Sequence, residues 1–182
     1  HKKYFKTLAS KLGKYTEKCT VSFLDLYRNT ERNIRPLGIR VPTEDEQMEI
    51  MKSFVETAQE YGFYIDTCAE EVDLSELGIT HARCIDQERI ERIGKIHLDV
   101  KKDSNQRDVC GCVASIDIGT YNTCKNGCAY CYANYSSKSV ETNAAKYDPS
   151  SPLLCGQVQE DDKITIRKVE SLKETQLSIF DM

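Results

Sequence analysis

Three cysteines stand close together late in the chain. Cys124, Cys128 and Cys131 are spaced C-x3-C-x2-C, and Tyr130 immediately precedes the third. Three thiolates on one short loop can hold three irons of a cubane cluster and leave the fourth iron open. Structural zinc prefers paired ligands and a closed set of four, so three thiols with unequal gaps suit the cubane face better. Gly127 permits a tight turn between the ligands. The surrounding stretch, Cys110 to Asn134, holds five of the nine cysteines.

Four further cysteines could form a second site. Cys110 and Cys112 make a C-x-C pair, Cys68 sits in TCAE, and Cys84 opens CID. Four thiolates converging at the mouth of a fold complete a closed site, either an auxiliary cluster or a zinc. The competing reading makes Cys68 and Cys84 small buried hydrophobes. Cys19 and Cys155 read as structural. His81 and His97 are lone histidines, better read as packed or surface imidazoles than as ligands. Lys101, Lys102 and Arg107 form a small basic spot that reads as a solvated face. The chain has no phosphate-binding glycine loop and no readable Ser-His-Asp set.

The elements that must carry these residues follow from periodicity. Residues 2–13 place Tyr4, Phe5, Leu8 and Leu12 at helical spacing, with Gly13 as the stop. Residues 19–27, CTVSFLDLY, read as a buried strand. Thr43 and Glu46 form a capping box that opens a helix with an apolar stripe of Met48, Met51, Val55 and Ala58, closed by Gly62. A second strand starts at Phe63, and residues 86–95 read as a short helix. Strand, helix, strand, helix is the order of a parallel α/β fold. In such folds functional groups gather at the C-terminal ends of the strands, which is where Asp25, Asp66, Thr67, Cys68 and Glu70 fall. Residues 113–119, VASIDIG, read as a strand running into the cysteine loop. A helix begins at Ser136 or Ser137, and KITIRKV, residues 163–169, reads as a last short strand.

Composition sets the outer bounds. With 182 residues, 40% hydrophobic and 30% charged, the chain can bury a core. A net charge of −4 gives no strong global attraction to DNA or to an anionic membrane. No apolar run approaches the ~18 residues of a membrane span. An odd number of clustered cysteines in a chain of this length points to metal in a reducing, cytoplasmic setting rather than to a disulfide scaffold. The chain opens at His1 without a methionine, which reads as the C-terminal part of something longer.

The segment SIDIGTYNTCKNGCAYCYAN resembles the signature of radical S-adenosylmethionine enzymes, C-x3-C-x-aromatic-C after a barrel strand. The resemblance implies a [4Fe-4S] cluster on Cys124, Cys128 and Cys131, S-adenosylmethionine on the open iron, and Tyr130 near its adenine. It departs from that pattern in having little chain after the motif, so either the implied TIM-barrel-like fold is circularly permuted or the cluster is not used with this cofactor. A longer resemblance, through FLDLY, TCAE, RCID, KKDSNQRDVCGC, the cysteine loop, SPLLCG and QLSIF, is to the uncharacterised bacterial family "domain of unknown function 1848". Members of that family carry a further N-terminal half, so residues 1–100 are expected to be the C-terminal portion of an α/β barrel. Residues 101–135 are then the metal-binding segment, and residues 136–182 a helix and tail.

The tail adds a partner. Gln176, Leu177, Ser178, Ile179 and Phe180 resemble the pentapeptide by which bacterial polymerases and repair proteins dock on the sliding clamp. This would link the protein to DNA or nucleotide chemistry without direct nucleic-acid binding. Three functions follow as expectations. The first is a radical enzyme served by an electron donor. The second is a non-catalytic iron–sulfur or zinc module. The third is a clamp-recruited interaction protein.

Overall fold

The computed structural model describes residues 1–174. Five helices run through it: α1 (Lys2–Leu12), α2 (Arg28–Ile34), α3 (Glu44–Tyr61), α4 (Gln87–Gly94) and α5 (Ser137–Ala145). Three strands, β1 (Lys18–Val21), β2 (Tyr64–Thr67) and β3 (Thr80–His81), form one parallel sheet in the order β1-β2-β3. The chain divides into two compact units. The first is His1–Phe23 with Pro42–Ser115 and the segment from Glu170; the second is Leu24–Val41 with Ile116–Val169.

In the first unit α3 is the organising helix. The Glu46 N–H donates to Thr43 Oγ1 at 3.4 Å and the Thr43 N–H donates to Glu46 Oε2 at 2.9 Å, closing the expected capping box. Glu44, Asp45 and Glu46 add favourable charge at the positive end of the helix dipole. Gly62, at φ +78°, ends the helix in the left-handed conformation. The buried face is Met51, Phe54, Thr57 and Ala58, with Met48 and Val55 partly buried on its flank. Phe54 is central because its ring stacks on Phe5 of α1, centroids 4.0 Å apart. Ala9, Phe63, Ile65, Leu74 and Ile79 complete this core.

Gly13 does not stop α1 as a left-handed cap. Its φ is −52°, and the chain continues into a short 3-10 turn over Gly13–Tyr15. Glycine is required there for space, because a Cβ would lie 2.9 Å from Tyr61 Cβ and 3.0 Å from the Tyr61 carbonyl.

The α/β expectation holds at the level of a small parallel sheet with helices against it, but among the described residues no barrel closure is seen. β1 and β3 are the sheet's two edges. β1 is also shorter than expected. The Cys68 N–H donates to the Val21 carbonyl at 3.0 Å, and the Phe23 N–H is then taken by Glu70 Oε1 at 2.9 Å, which draws the chain off the sheet. The strand expected over residues 113–119 is reduced to a single antiparallel bridge between Val113 and Lys102. Ile116 and Ile118 are exposed and gain no sheet neighbour. Residues 163–169 likewise form no strand among the described residues, and Ile164, Ile166 and Val169 are all exposed.

α4 is placed by charge. Asp86 caps it by accepting from the Arg89 N–H at 3.2 Å. Glu17, just before β1, accepts from Arg89 at 2.8 Å and Arg92 at 2.7 Å. In the second unit, Ser136 caps α5 by accepting from the Ser139 N–H at 3.2 Å. Thr30 and Ile34 of α2 are fully buried there.

Candidate metal centres

The first unit gathers Cys68, Cys84, Cys110 and Cys112. Cys68 leaves the C-terminal end of β2, and Ala69 turns the chain at once with φ +52°. Cys84 follows β3, whose end is tied to β2 by an Ala82 N–H to Thr67 carbonyl bond of 2.6 Å. Cys110 and Cys112 arrive on a separate segment, fixed by Asp103 N–H to Cys112 carbonyl (2.9 Å), Ala114 N–H to Lys101 carbonyl (2.8 Å) and Val113 N–H to Ile85 carbonyl (3.1 Å). Gly111 lets this segment lie on Arg83, since a Cβ at Gly111 would stand 2.9 Å from Arg83 Cγ. The sulfurs of Cys68 and Cys84 are 3.7 Å apart. Cys112 Sγ accepts two backbone bonds, from the Cys84 N–H at 3.2 Å and the Ile85 N–H at 3.3 Å. Cys110 and Cys112 are buried with Ala69 and packed against Cys68.

These contacts divide the thiols electrostatically. Burial, reinforced by the neighbouring Cys68 and Cys112, pushes the Cys84 thiol up to about 12. For Cys112 burial is the largest influence and acts upward, but the N–H groups of Ile85 and Cys84 and the Cys110 and Cys84 thiols outweigh it, so its net shift is downward. For Cys110 the Cys112 N–H is the largest influence and acts downward, while burial and the adjacent thiols carry the net shift upward. Among Cys84, Cys110 and Cys112, Cys112 alone is shifted downward. A surface depression of about 360 Å³ opens beside Cys84, lined by Asp86 and by Arg89, Ile90 and Ile93 of α4.

The second unit holds Cys124, Cys128 and Cys131 on one closed segment. Asn122 ties its base. This residue is buried, with φ +57°. Its N–H donates to the Ala133 carbonyl at 2.9 Å, and its Oδ1 accepts from the N–H groups of Tyr135 (3.0 Å) and Ser136 (3.2 Å). Asn143 of α5 donates to the Asn122 carbonyl at 3.1 Å, and Asn134 Nδ2 donates to the Cys124 carbonyl at 2.5 Å. Within the segment Gly127 turns at φ +67°, and the Cys131 N–H donates to the Cys128 carbonyl at 3.1 Å. Cys124 and Cys128 are exposed free thiols, Cys131 is half-buried, and Tyr130 is exposed. Among the described residues, no three His, Cys, Asp or Glu side chains are already set around one point as metal ligands.

The acidic strand-end residues have structural partners. Asp66 accepts from Lys18 Nζ at 2.7 Å, with only 6% of its side chain exposed, and its buried Oδ1 has no hydrogen-bond partner among the described residues. Glu70 accepts from Phe23 as above, and Asp25 is also engaged. Cys19 and Cys155 are half-buried free thiols. Spacing alone did not single out Asn122. The available signal was an Asn two residues before the first cysteine, since Asn is one of the few residues that readily adopt positive φ. The pentapeptide Gln176 to Phe180 lies outside the described residues.

A family model described as Domain of unknown function (DUF1848) matches residues 1–133. That span is well over half of the chain, and the chain belongs to this family. It contains all seven candidate ligands and ends before α5, so SPLLCG and QLSIF lie beyond it. No curated protein and no solved structure matches the chain.

Proposed function

We propose that this member of the family of domain of unknown function 1848 is an iron–sulfur enzyme of the radical S-adenosylmethionine kind. Cys124, Cys128 and Cys131 would hold a [4Fe-4S] cluster by three irons. When bound, the cluster and S-adenosylmethionine supply one-electron radical chemistry, with electrons from a separate donor. The chain's own residues present and position. The observation that supports the reading is the tied segment: three free thiols lie between Asn122 and Ala133, which are hydrogen-bonded at 2.9 Å. Closing the base restricts the segment that carries the thiols, so less conformational freedom is lost when they close on a cluster. The exposed Tyr130 is the proposed contact for the adenine. The parallel register of β1, β2 and β3 supports reading the sheet as a segment of a TIM-barrel-like architecture.

The test is composition. The full chain is reconstituted anaerobically with iron and sulfide, beside Cys124→Ala, Cys128→Ala and Cys131→Ala. The reading expects about four irons and four sulfides per chain, with each variant losing most of both. Metal without acid-labile sulfide would leave the non-catalytic zinc module as the better account.

A further inference from the structure

The Cys68 and Cys84 sulfurs lie 3.7 Å apart in a thiol–thiol contact, a spacing that two ligands of one ion could keep. Four thiolates around one zinc at about 2.3 Å form a tetrahedron whose edges are about 3.8 Å. Thiolates bound to different irons of a cubane are held farther apart, because iron and sulfide lie between them. Two other features fit a thiolate site. Cys112 Sγ receives two backbone N–H donors, from Cys84 and Ile85. Such donors orient and stabilise a metal-bound thiolate from outside the ligand set. Cys110 and Cys112 are also buried together against Cys68, away from solvent that would compete for an ion.

We infer that Cys68, Cys84, Cys110 and Cys112 hold a single tetrahedral soft divalent ion, zinc by its ligand chemistry, as a closed structural site. The ligands come from three segments: the end of β2, the residues after β3, and the Arg107–Val113 segment. The last of these contributes no strand to the sheet. It is held by the Asp103, Val113 and Ala114 backbone bonds and by glycine-permitted contact with Arg83. An ion bound to all three segments would clasp it to the strand ends. Four ligands leave no open position, so the site is structural rather than catalytic. This inference does not rest on the cluster proposed for Cys124, Cys128 and Cys131, and it shares no ligand with it.

The test uses the full chain carrying Cys124→Ser, Cys128→Ser and Cys131→Ser together, so that only the four-thiol site can respond. Zinc per chain is measured, then zinc X-ray absorption is recorded. The expected result is about one zinc per chain with four sulfur neighbours at about 2.3 Å. Cobalt added to the metal-free protein should give the intense visible bands of a tetrahedral tetrathiolate. Cys84→Ser in that background alters an exposed thiol and spares the buried pair; the expected change is loss of one sulfur neighbour or of the zinc. A metal-free triple variant, a shell with fewer than three sulfurs, or iron with acid-labile sulfide retained on these four cysteines would each overturn the inference. Sulfide lost from the triple variant while zinc stays would separate the two sites.

Discussion

The backbone N–H of Asn122 donates to the Ala133 carbonyl at 2.9 Å, and every thiol of the C-x3-C-x2-C motif lies between those two residues. The motif is therefore a loop with a fixed base. Asn122 holds the base three ways: through its backbone bond, its positive φ, and an Oδ1 that serves two N–H groups.

Substitution at Asn122 should separate these contributions. Asn122→Ala leaves the Tyr135 and Ser136 N–H groups unpaired and keeps a Cβ at positive φ. The expected loss is about 1–3 kcal/mol for the hydrogen bonds with about 1–2 kcal/mol of strain added. Asn122→Gly removes the strain and should fall between Ala and the native residue. Hydrogen exchange at Tyr135 and Ser136 reads the effect: exchange should quicken in both variants, more in Ala. Iron retained after reconstitution should fall in the same order.

Lys18 and Asp66 form a largely buried ion pair, with side chains 14% and 6% exposed. Breaking it by Lys18→Met leaves an unpaired carboxylate in the sheet and should cost about 3–5 kcal/mol. The double change Lys18→Met with Asp66→Leu should recover most of that, because both desolvated charges are removed. Urea unfolding of the three proteins makes the comparison.

The same pair gives a pH dependence. Burial is the largest influence on Lys18 and acts to lower its pKa, but the hydrogen bond and charge of Asp66 prevail, and the net shift is upward from 10.5. A raised folded-state value means that the pair's contribution is complete below the unfolded value and is lost as pH rises through the folded one. Stability should thus decline above about pH 10.5 more steeply in the native chain than in the Lys18→Met, Asp66→Leu double variant. Equal alkaline slopes would contradict this assignment.

Much of the first unit was legible because local chemistry and tertiary demand agree. Thr43, Glu46 and Gly62 begin and end α3 as their side chains and backbone freedom dictate, and Asp86 caps α4; in the second unit Ser136 caps α5. The failures share a cause. VASIDIG and KITIRKV have strand composition, but a strand needs a neighbour, and only Val113 finds a bridge partner. Gly13 looked like a helix stop, whereas its role is clearance from Tyr61, a residue far away in sequence. The gathering of Cys68 and Cys84 with Cys110 and Cys112 is set by tertiary structure rather than by spacing, because it depends on how the chain runs after β2 and β3. The N–H donors to Cys112 carry no sequence signal, since they belong to backbone.

Two glycines test that distinction. Gly13→Ala has an acceptable φ but collides with Tyr61 at 2.9 Å and 3.0 Å. Overpacking of this kind should cost about 1–3 kcal/mol. Gly62→Ala meets nothing within 4 Å but sits at φ +78°, and should cost about 1–2 kcal/mol through backbone strain alone. Further shrinking Tyr61 to Ala keeps the Cβ and the carbonyl that the first change meets, and should rescue neither. Thermal melts of the four proteins test this.

Gln176 to Phe180 gives a prediction independent of any metal. A labelled peptide of that sequence should bind a bacterial sliding clamp, and Leu177→Ala with Phe180→Ala should abolish binding by removing the apolar anchors. Fluorescence anisotropy decides it, and no binding by the native peptide would remove the clamp as a partner.

The most direct test of the central claim is the EPR spectrum of the reduced protein, purified without oxygen, with and without S-adenosylmethionine and beside Cys124→Ala. A cluster held by three thiolates has an iron the cofactor can reach. The account predicts a cubane signal that changes when S-adenosylmethionine is added and is missing from the variant. A signal indifferent to the cofactor, or one that survives Cys124→Ala, would contradict it.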